Sequence, residues 1–333
     1  MSERSLKIIF ALVVFVFVLL GKNYTPLNEK SVRVDVFVNN LENKTASLVA
    51  TNELPQEPKV QVKESAAAIN KTEIIPIATT STKLVPIKNL KSGPSISASM
   101  FLIGDLEESV NIAQLSINNR WPIASLTKLM TAVVVLEQLP KNTSITIGPN
   151  ISSIEGSSGF IVSPREFLVE DLIKAMMVSS NNHAAYAIQE YFGKEKFVKL
   201  MNDSASRLGM NDTYFDEATG LSVLNQSTAD DLKILVKFIW QSQRQIFEYS
   251  KMPEVTITDL KTNKVAVIKN INIFAGDADF LGGKTGFITD SGGNLISIFK
   301  RADRKIITII LGAEDRFLET SKLVSWFDKD FNR

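Results

Sequence analysis

The period of the hydrophobic pattern divides residues 95–333 into strands at both ends and a block of helices between them. Short runs rich in β-branched residues predict strands, and longer apolar stretches that end at Pro140 or Gly209 predict helices. The predicted helices are 125–139, 170–193 with a break at 179–182, 195–208, a helix capped by Ser227-Thr228 that runs to 241, and 317–327. The predicted strands are 97–103, 111–117, 254–258, 264–268, 281–287, 294–300 and 306–311. This order predicts an α+β fold, an antiparallel β-sheet with a helical lobe.

The first predicted helix carries the first candidate for chemistry. Leu126, Leu129, Met130 and the run 133–136 cover most of its circumference, and a helix that is apolar nearly all round is buried. Ser125 opens the helix and Lys128 follows three residues later, so their side chains lie on one face. Burial favours a neutral lysine, and a helix N-terminus stabilises negative charge. The spacing therefore favours Ser125 as a nucleophile and Lys128 as its base.

A second motif, Ser180-Asn181-Asn182, interrupts the helical pattern further along the chain. The run 179–182 contains only Ser and Asn, which favour caps and turns over a helix interior. A plain helix–helix turn is one interpretation. The functional hypothesis adds that Ser180 and Asn182 face a cleft beside Lys128. There Ser180 relays a proton to a leaving group, and Asn182 binds the substrate backbone and orients Lys128.

A third motif, Gly282-Gly283-Lys284-Thr285-Gly286-Phe287, is a glycine-rich strand. Glycine weakens a strand and often marks a place where a ligand or another backbone approaches closely. A peptide added along this strand would meet the charge of Lys284 and the hydroxyl of Thr285 at its terminal carboxylate. The alternative is a hairpin strand with a poorly packed glycine. A phosphate-binding loop is excluded, because Lys284 lacks the upstream glycine spacing.

Composition narrows the chemistry further. The 333 residues contain no Cys, which excludes a cysteine nucleophile, a lipid-modified cysteine anchor and a disulfide framework. The single histidine, His183, excludes a His-rich metal site, and a Ser-His-Asp triad would have to use it. The net charge is +1 and no dense basic run occurs, which argues against nucleic acid as a partner. Catalysis by Ser and Lys remains.

The first 94 residues predict an export signal followed by a linker. Arg4 and Lys7 precede an apolar run, 8–20, whose thirteen residues rise about 20 Å as a helix, short of the ~30 Å bilayer core. Residues 1–21 are therefore a signal peptide, either cleaved or kept as an N-terminal membrane anchor, and the rest is exported. Residues 22–94 hold six of the eleven prolines and predict a flexible linker. The catalytic domain is expected to span 95–333.

The ordered trio Ser125-Leu126-Thr127-Lys128, Ser180-Asn181-Asn182 and Lys284-Thr285-Gly286 resembles the active-site signature of a known family. These are the low-molecular-mass penicillin-binding serine DD-peptidases, the D-alanyl-D-alanine carboxypeptidase family. The resemblance covers roughly 95–327 and extends to the segments 121–131, 201–202, 208–210, 219–221, 283–287 and 311–313. It implies a serine β-lactamase-like fold, in which helices flank an antiparallel sheet beside an all-helical lobe.

The resemblance also implies a mechanism. The residues expected at the site are catalytic Ser125, Lys128, Ser180 and Asn182, and substrate-binding Lys284, Thr285, Gly286 and Phe287. Ser125 would attack the carbonyl between two D-alanines of a peptidoglycan stem peptide, with Lys128 as base and the N–H groups of Ser125 and Phe287 as oxyanion hole. Water would then release the acyl-enzyme. β-Lactam antibiotics would acylate Ser125 and leave slowly, and no metal or organic cofactor is implied.

Departures from the family pattern keep alternatives open. Asn181 stands where Gly is common, and His183 stands where Asp is often found. Segments 122–125 and 220–228 are similar to the endopeptidase branch, which cuts D-Ala–diaminopimelate crosslinks, so both activities stay candidates. A class A β-lactamase shares the trio but adds a Glu for deacylation, and no E-x-x-L-N-like segment separates the second and third motifs. A non-catalytic wall-binding protein and a Ser-His triad on His183 are further alternatives.

Overall fold

A computed structural model of the chain describes residues 93–156 and 159–331. The predicted signal 1–21 and nearly all of the predicted linker 22–94 lie outside these residues, so both stay predictions. Within the two described ranges, no helix combines the length and the hydropathy that a membrane span requires.

The described strands and helices follow the predicted order. The strands are β1 (Met100–Asp105), β2 (Asn111–Leu115), β3 (Trp121–Pro122), β4 (Ser144–Thr146), β5 (Glu166–Leu168), β6 (Gln226–Ser227), β7 (Glu254–Thr258), β8 (Val265–Lys269), β9 (Phe280–Ile288), β10 (Gly292–Arg301) and β11 (Arg304–Ala313). The helices are α1 (Thr127–Gln138), α2 (Val169–Val178), α3 (Asn182–Phe192), α4 (Lys194–Leu208), α5 (Ala229–Ser242), α6 (Gln245–Ser250) and α7 (Arg316–Phe331). The predicted α+β class is confirmed.

Five strands form an antiparallel sheet in the order β2-β1-β11-β10-β9. Helices cover both faces, with α5 against β1 and β11 and α7 against β10 and β11. Side chains along β11 alternate accordingly: Ile306 and Ile310 pack in the cluster that includes Phe327 of α7, whereas Ile307 and Ile309 join the larger core. Burial on both faces explains why this strand is an almost unbroken apolar run. Strand β9 is an edge strand of this sheet.

Helix α1 is the centre of the helical lobe. Its residues from Thr127 to Val135 are all buried, because α2, α3, α4 and α5 pack around it. The prediction of a buried helix is confirmed, but its start is wrong. Ser125 lies in a 3₁₀ turn, Ala124–Leu126, that precedes the α-helix. The serine is therefore presented on a tighter turn than the 3.6-residue pattern indicates.

The other boundaries depend on local backbone chemistry. The predicted break between α2 and α3 is confirmed, and Asn181 caps α3 by accepting a hydrogen bond from Ala184 N at 2.9 Å. Gly209 ends α4 in the left-handed conformation, with φ of 82°. The pairs β3–β6 and β4–β5 and helix α6 were not predicted. Strands of two or three residues and a helix of six leave no readable period.

Candidate active site

The turn that carries Ser125 is fastened from two sides. Ile123 N donates to Asn225 O at 2.9 Å, next to the β3–β6 pair. From the central sheet, Asn294 Nδ2 of β10 donates to Pro122 O at 3.0 Å. Ala124 has a φ of 48°, a left-handed conformation that is costly for a residue with a side chain. The surrounding contacts thus impose the turn in which Ser125 sits.

Lys128 is fully buried on the first turn of α1 and its Nζ contacts three acceptors. Nζ lies 2.9 Å from Ser125 Oγ and 2.7 Å from Asn182 Oδ1, and it also donates to Thr219 O. Burial lowers the pKa of Lys128 to about 7, although the nearby charge of Glu217 raises it. A large fraction of Lys128 is therefore a neutral amine at neutral pH, next to the hydroxyl whose proton it would take.

The turn between α2 and α3 brings the second motif to the same place. Asn182 joins Lys128 through Oδ1, and its Nδ2 donates to Glu155 O at 2.8 Å. Ser180 Oγ accepts from Lys284 Nζ at 2.7 Å, and Ser180 has a φ of 56°. A non-glycine residue in this region stores backbone energy, and such residues cluster at functional sites. The segment is thus both the expected turn and one wall of the cleft.

Strand β9 provides the opposite wall. Lys284 is buried, and its Nζ also donates to Thr285 O at 2.7 Å. Burial lowers the pKa of Lys284 well below its usual value, and the charges of Lys128 and Arg316 lower it further. A Cβ on Gly286 would lie 2.9 Å from Ile123 O and 3.2 Å from Ser125 N, so only glycine lets β9 come this close to the serine turn. The next residue, Phe287, is 60% exposed.

A loop between α4 and α5 closes the site behind Ser125. Gly220 has a φ of 82°, and a Cβ there would collide with Ala124 O and lie 2.8 Å from Ser125 N. Its neighbour Thr219 supplies the carbonyl that accepts from Lys128. All eight predicted site residues therefore lie on the elements that meet around Ser125: the 3₁₀ turn with α1, the α2–α3 turn, and β9.

Two charged residues near the site were missed by the sequence analysis. Glu217 precedes Thr219 by two residues, and its charge acts on Lys128. Arg316, the first residue of α7, is half-buried and its Nη1 donates to Gly286 O at 3.4 Å. The only sequence signal for Glu217 is its position beside the Thr219-Gly220-Leu221 segment. No spacing rule points to Arg316.

His183 has a different position from the one that a Ser-His triad requires. One ring nitrogen, Nδ1, lies 2.8 Å from Ile161 O, and the other, Nε2, lies 3.2 Å from Ile154 O. The ring therefore links α3 to the backbone of Ile154 and Ile161 and is not a partner of Ser125. Among the described residues, no group of three or more His, Cys, Asp and Glu side chains is arranged to hold a metal ion.

A family model described as D-alanyl-D-alanine carboxypeptidase (Peptidase S11) matches residues 87–315. The D-alanyl-D-alanine endopeptidase of Escherichia coli (strain K12) is 31% identical over 255 residues, which cover 71% of this chain and 79% of that protein. The D-alanyl-D-alanine carboxypeptidase DacC of the same strain is 28% identical over 253 residues, 70% of this chain and 62% of that protein.

This chain thus spans about three fifths of the length of DacC, and the same holds for the D-alanyl-D-alanine endopeptidase of Haemophilus influenzae, at 62% each. Among solved structures, penicillin-binding protein D2 from Listeria monocytogenes in its cefotaxime-bound form matches with a TM-score of 0.62 and 29% identity. The match covers 71% of this chain and 99% of that one. The expected DD-peptidase-like fold is confirmed.

Proposed function

The chain belongs to the D-alanyl-D-alanine carboxypeptidase family, and we propose that it removes the terminal D-alanine of peptidoglycan stem peptides through an acyl-enzyme on Ser125. The observation that carries this proposal is the 2.9 Å contact between Ser125 Oγ and a fully buried Lys128 whose pKa is about 7. A lysine with an ordinary pKa would be neutral in roughly one molecule in three thousand at pH 7. The buried amine is therefore ready to act as a base without a histidine.

The proposed acylation begins when the neutral amine of Lys128 takes the hydroxyl proton of Ser125. Ser125 Oγ then forms a bond to the carbonyl carbon of the penultimate D-alanine, and the N–H groups of Ser125 and Phe287 stabilise the oxyanion. As the peptide bond breaks, Ser180, hydrogen-bonded to Lys284, relays the proton held by Lys128 to the leaving nitrogen, and Lys128 becomes neutral again. Asn182 keeps Lys128 in place and binds the substrate backbone. Water, deprotonated by Lys128, later hydrolyses the ester and restores Ser125.

The substrate carboxylate would lie at β9. Lys284 and Thr285 were expected to bind it, and the fold adds Arg316 at the carbonyl of Gly286. Burial lowers the pKa of both Lys284 and Arg316, but a guanidinium keeps its proton far more firmly than an amine does. In this proposal Arg316 provides the lasting positive charge, and Lys284 and Thr285 provide donors.

Endopeptidase activity is the second candidate, because it has its own support. The Escherichia coli endopeptidase has a higher identity to this chain than DacC, 31% against 28%, and the match covers more of its length. A serine β-lactamase is not favoured. The carboxylate of Glu217 is not available to activate water for deacylation, because its oxygens already accept hydrogen bonds from Thr219 N, Gly220 N and Ser222 N.

The predicted signal 1–21 supports a place outside the cytoplasm. If it is uncleaved, segment 8–20 anchors the enzyme to the cytoplasmic membrane.

Mass spectrometry after brief exposure of the full-length chain to benzylpenicillin tests the proposal. We expect one penicilloyl adduct that maps to Ser125 and is absent in Ser125→Ala. Ser99→Ala, which removes an exposed hydroxyl near Gly312 O, is the matched control and should retain the adduct. A folded wild type without an adduct would favour the wall-binding alternative, and rapid multiple turnover of penicillin would favour a β-lactamase.

Product analysis separates the two peptidase activities. The same protein is incubated with an uncrosslinked muropeptide that carries D-alanyl-D-alanine and with a crosslinked muropeptide dimer. Release of free D-alanine from the first substrate alone supports the carboxypeptidase. Conversion of the dimer into monomers without free D-alanine supports the endopeptidase. Ser125→Ala should be inactive in both reactions.

A further inference from the structure

Glu217 binds its own downstream loop through both carboxylate oxygens. Oε1 accepts from Gly220 N at 2.6 Å, from Ser222 N at 3.4 Å and from Asn225 Nδ2, and Oε2 accepts from Thr219 N at 2.5 Å. All four donors lie within the seven residues 219–225. Hydrogen bonds to a charged acceptor are about twice as strong as neutral ones. The carboxylate therefore determines how this loop folds.

The loop held by Glu217 contacts Lys128 and the backbone of the turn that carries Ser125. Thr219 O accepts from Lys128 Nζ, and the backbone of Gly220 packs against Ser125 N. At the far end of the segment, Asn225 O accepts from Ile123 N, two residues before the serine. Glu217 thus acts on the base and on the nucleophile turn through backbone groups.

One peptide group connects Glu217 to Lys128. In a trans peptide the C=O of one residue and the N–H of the next point in opposite directions in a single plane. The N–H of Gly220 points at Glu217 and the C=O of Thr219 points at Lys128. The negative end of this peptide dipole is therefore aimed at the amine, and the carboxylate behind it adds its own charge in the same direction.

The groups around Lys128 determine whether its amine holds a proton. Burial opposes a proton on Lys128, and it also lowers the pKa of Lys284, the second amine of the site, on β9. The polar partners from the other elements, Ser125 and Asn182, carry no charge. Glu217 supplies the negative charge that favours the protonated amine.

We propose that Glu217 is a positioning residue that, through the Thr219–Gly220 peptide, sets the pH at which Lys128 releases its proton and becomes a base. This rests on the proposed function only in naming Lys128 as the base. Removing the charge of Glu217 makes the amine lose its proton at a lower pH. Enzyme with a neutral residue at this position therefore stays active further into the acid range than the wild type does.

Lysine-selective ¹³C NMR of the full-length chain, titrated from pH 5 to pH 10, tests this without requiring activity. The Lys128 signal is assigned by its loss in Lys128→Met. We expect its midpoint to move to lower pH in Glu217→Gln and to stay nearer the wild-type value in Glu217→Asp, which keeps the charge. Glu190→Gln, a half-buried carboxylate that accepts from Asn150 Nδ2, should leave the midpoint unchanged. Equal midpoints in the wild type and Glu217→Gln would overturn the proposal.

A second measurement needs no variant at all. In the wild type, the amide ¹⁵N shift of Gly220 should titrate with the midpoint of Lys128, and an insensitive Gly220 amide would contradict the proposal.

Acylation by benzylpenicillin gives the functional readout. The acylation rate at pH 6 divided by the rate at pH 8 should be at least about threefold higher in Glu217→Gln than in the wild type. A rate lowered equally at both pH values would mean that Glu217 only stabilises the loop. If the wild type forms no adduct but the NMR midpoint moves, the proposed function fails and the role of Glu217 stands.

Discussion

Relative to the wild type, Lys128→Met should be more stable at low pH than at high pH, because burying a protonated Lys128 destabilises the folded protein. The pKa of Lys128 is about 7 in the folded protein and 10.5 in the reference state. Between these values the unfolded chain holds a proton that the native protein does not, so the free energy of unfolding rises with pH. At 1.36 kcal/mol per pKa unit, the contribution of Lys128 to the stability rises by about 2.7 kcal/mol from pH 6 to pH 9.

Urea unfolding of the wild type and of Lys128→Met at pH 6, 7, 8 and 9 measures this term. The variant loses the hydrogen bonds of Nζ to Ser125, Asn182 and Thr219 at every pH, so only the change of the difference with pH reports the proton. Lys284 is present in both proteins, and burial, the main cause of its lowered pKa, is the same in both. We expect the stability of the variant relative to the wild type to fall by about 2 to 3 kcal/mol across this range.

The same variant gives a functional control, since it should not be acylated by benzylpenicillin at any pH. A stability difference that stays constant within about 0.5 kcal/mol from pH 6 to pH 9 would refute the reasoning. It would mean that the folded protein does not lower the pKa of Lys128, and the base assigned to Ser125 would lose its physical support.

Three further substitutions test the walls of the site. Gly220→Ala should lower the free energy of unfolding by more than about 2 kcal/mol in urea, since the added Cβ would collide with Ala124 O. The control is Gly209→Ala, which has the same φ of 82° but open space around the Cβ and should cost only about 1 to 2 kcal/mol. Equal costs would contradict the contact. Ser180→Ala should slow acylation by about 10²-fold with little change in melting temperature, and an unchanged rate would remove Ser180 from proton transfer. His183→Ala should retain acylation per folded molecule while the protein loses about 1 to 3 kcal/mol of stability, because buried carbonyls lose their partner. A folded but unreactive His183→Ala would revive the Ser-His alternative.

The sequence by itself determined the features that depend on neighbouring residues. Lys128 lies three positions after Ser125, and one helical turn, 3₁₀ or α, brings residues at this spacing to the same side. The run 179–182 breaks the helix because Ser and Asn side chains compete for backbone hydrogen bonds, and Asn181 does cap α3. The start of α1 was predicted wrongly, since a 3₁₀ turn and an α-helix have nearly the same apolar pattern over three residues.

Only the tertiary structure decided how these parts become one site. Lys128 meets Asn182 across 54 residues and Thr219 O across 91, and Lys284 meets Ser180 across 104. No local rule relates residues so far apart, because their distance depends on how the sheet and the helical lobe pack together. The pKa of Lys128 follows from the same packing, since only the folded chain buries the amine and brings the charge of Glu217 close to it. The sequence identifies the residues that can react, whereas their protonation and alignment depend on the fold.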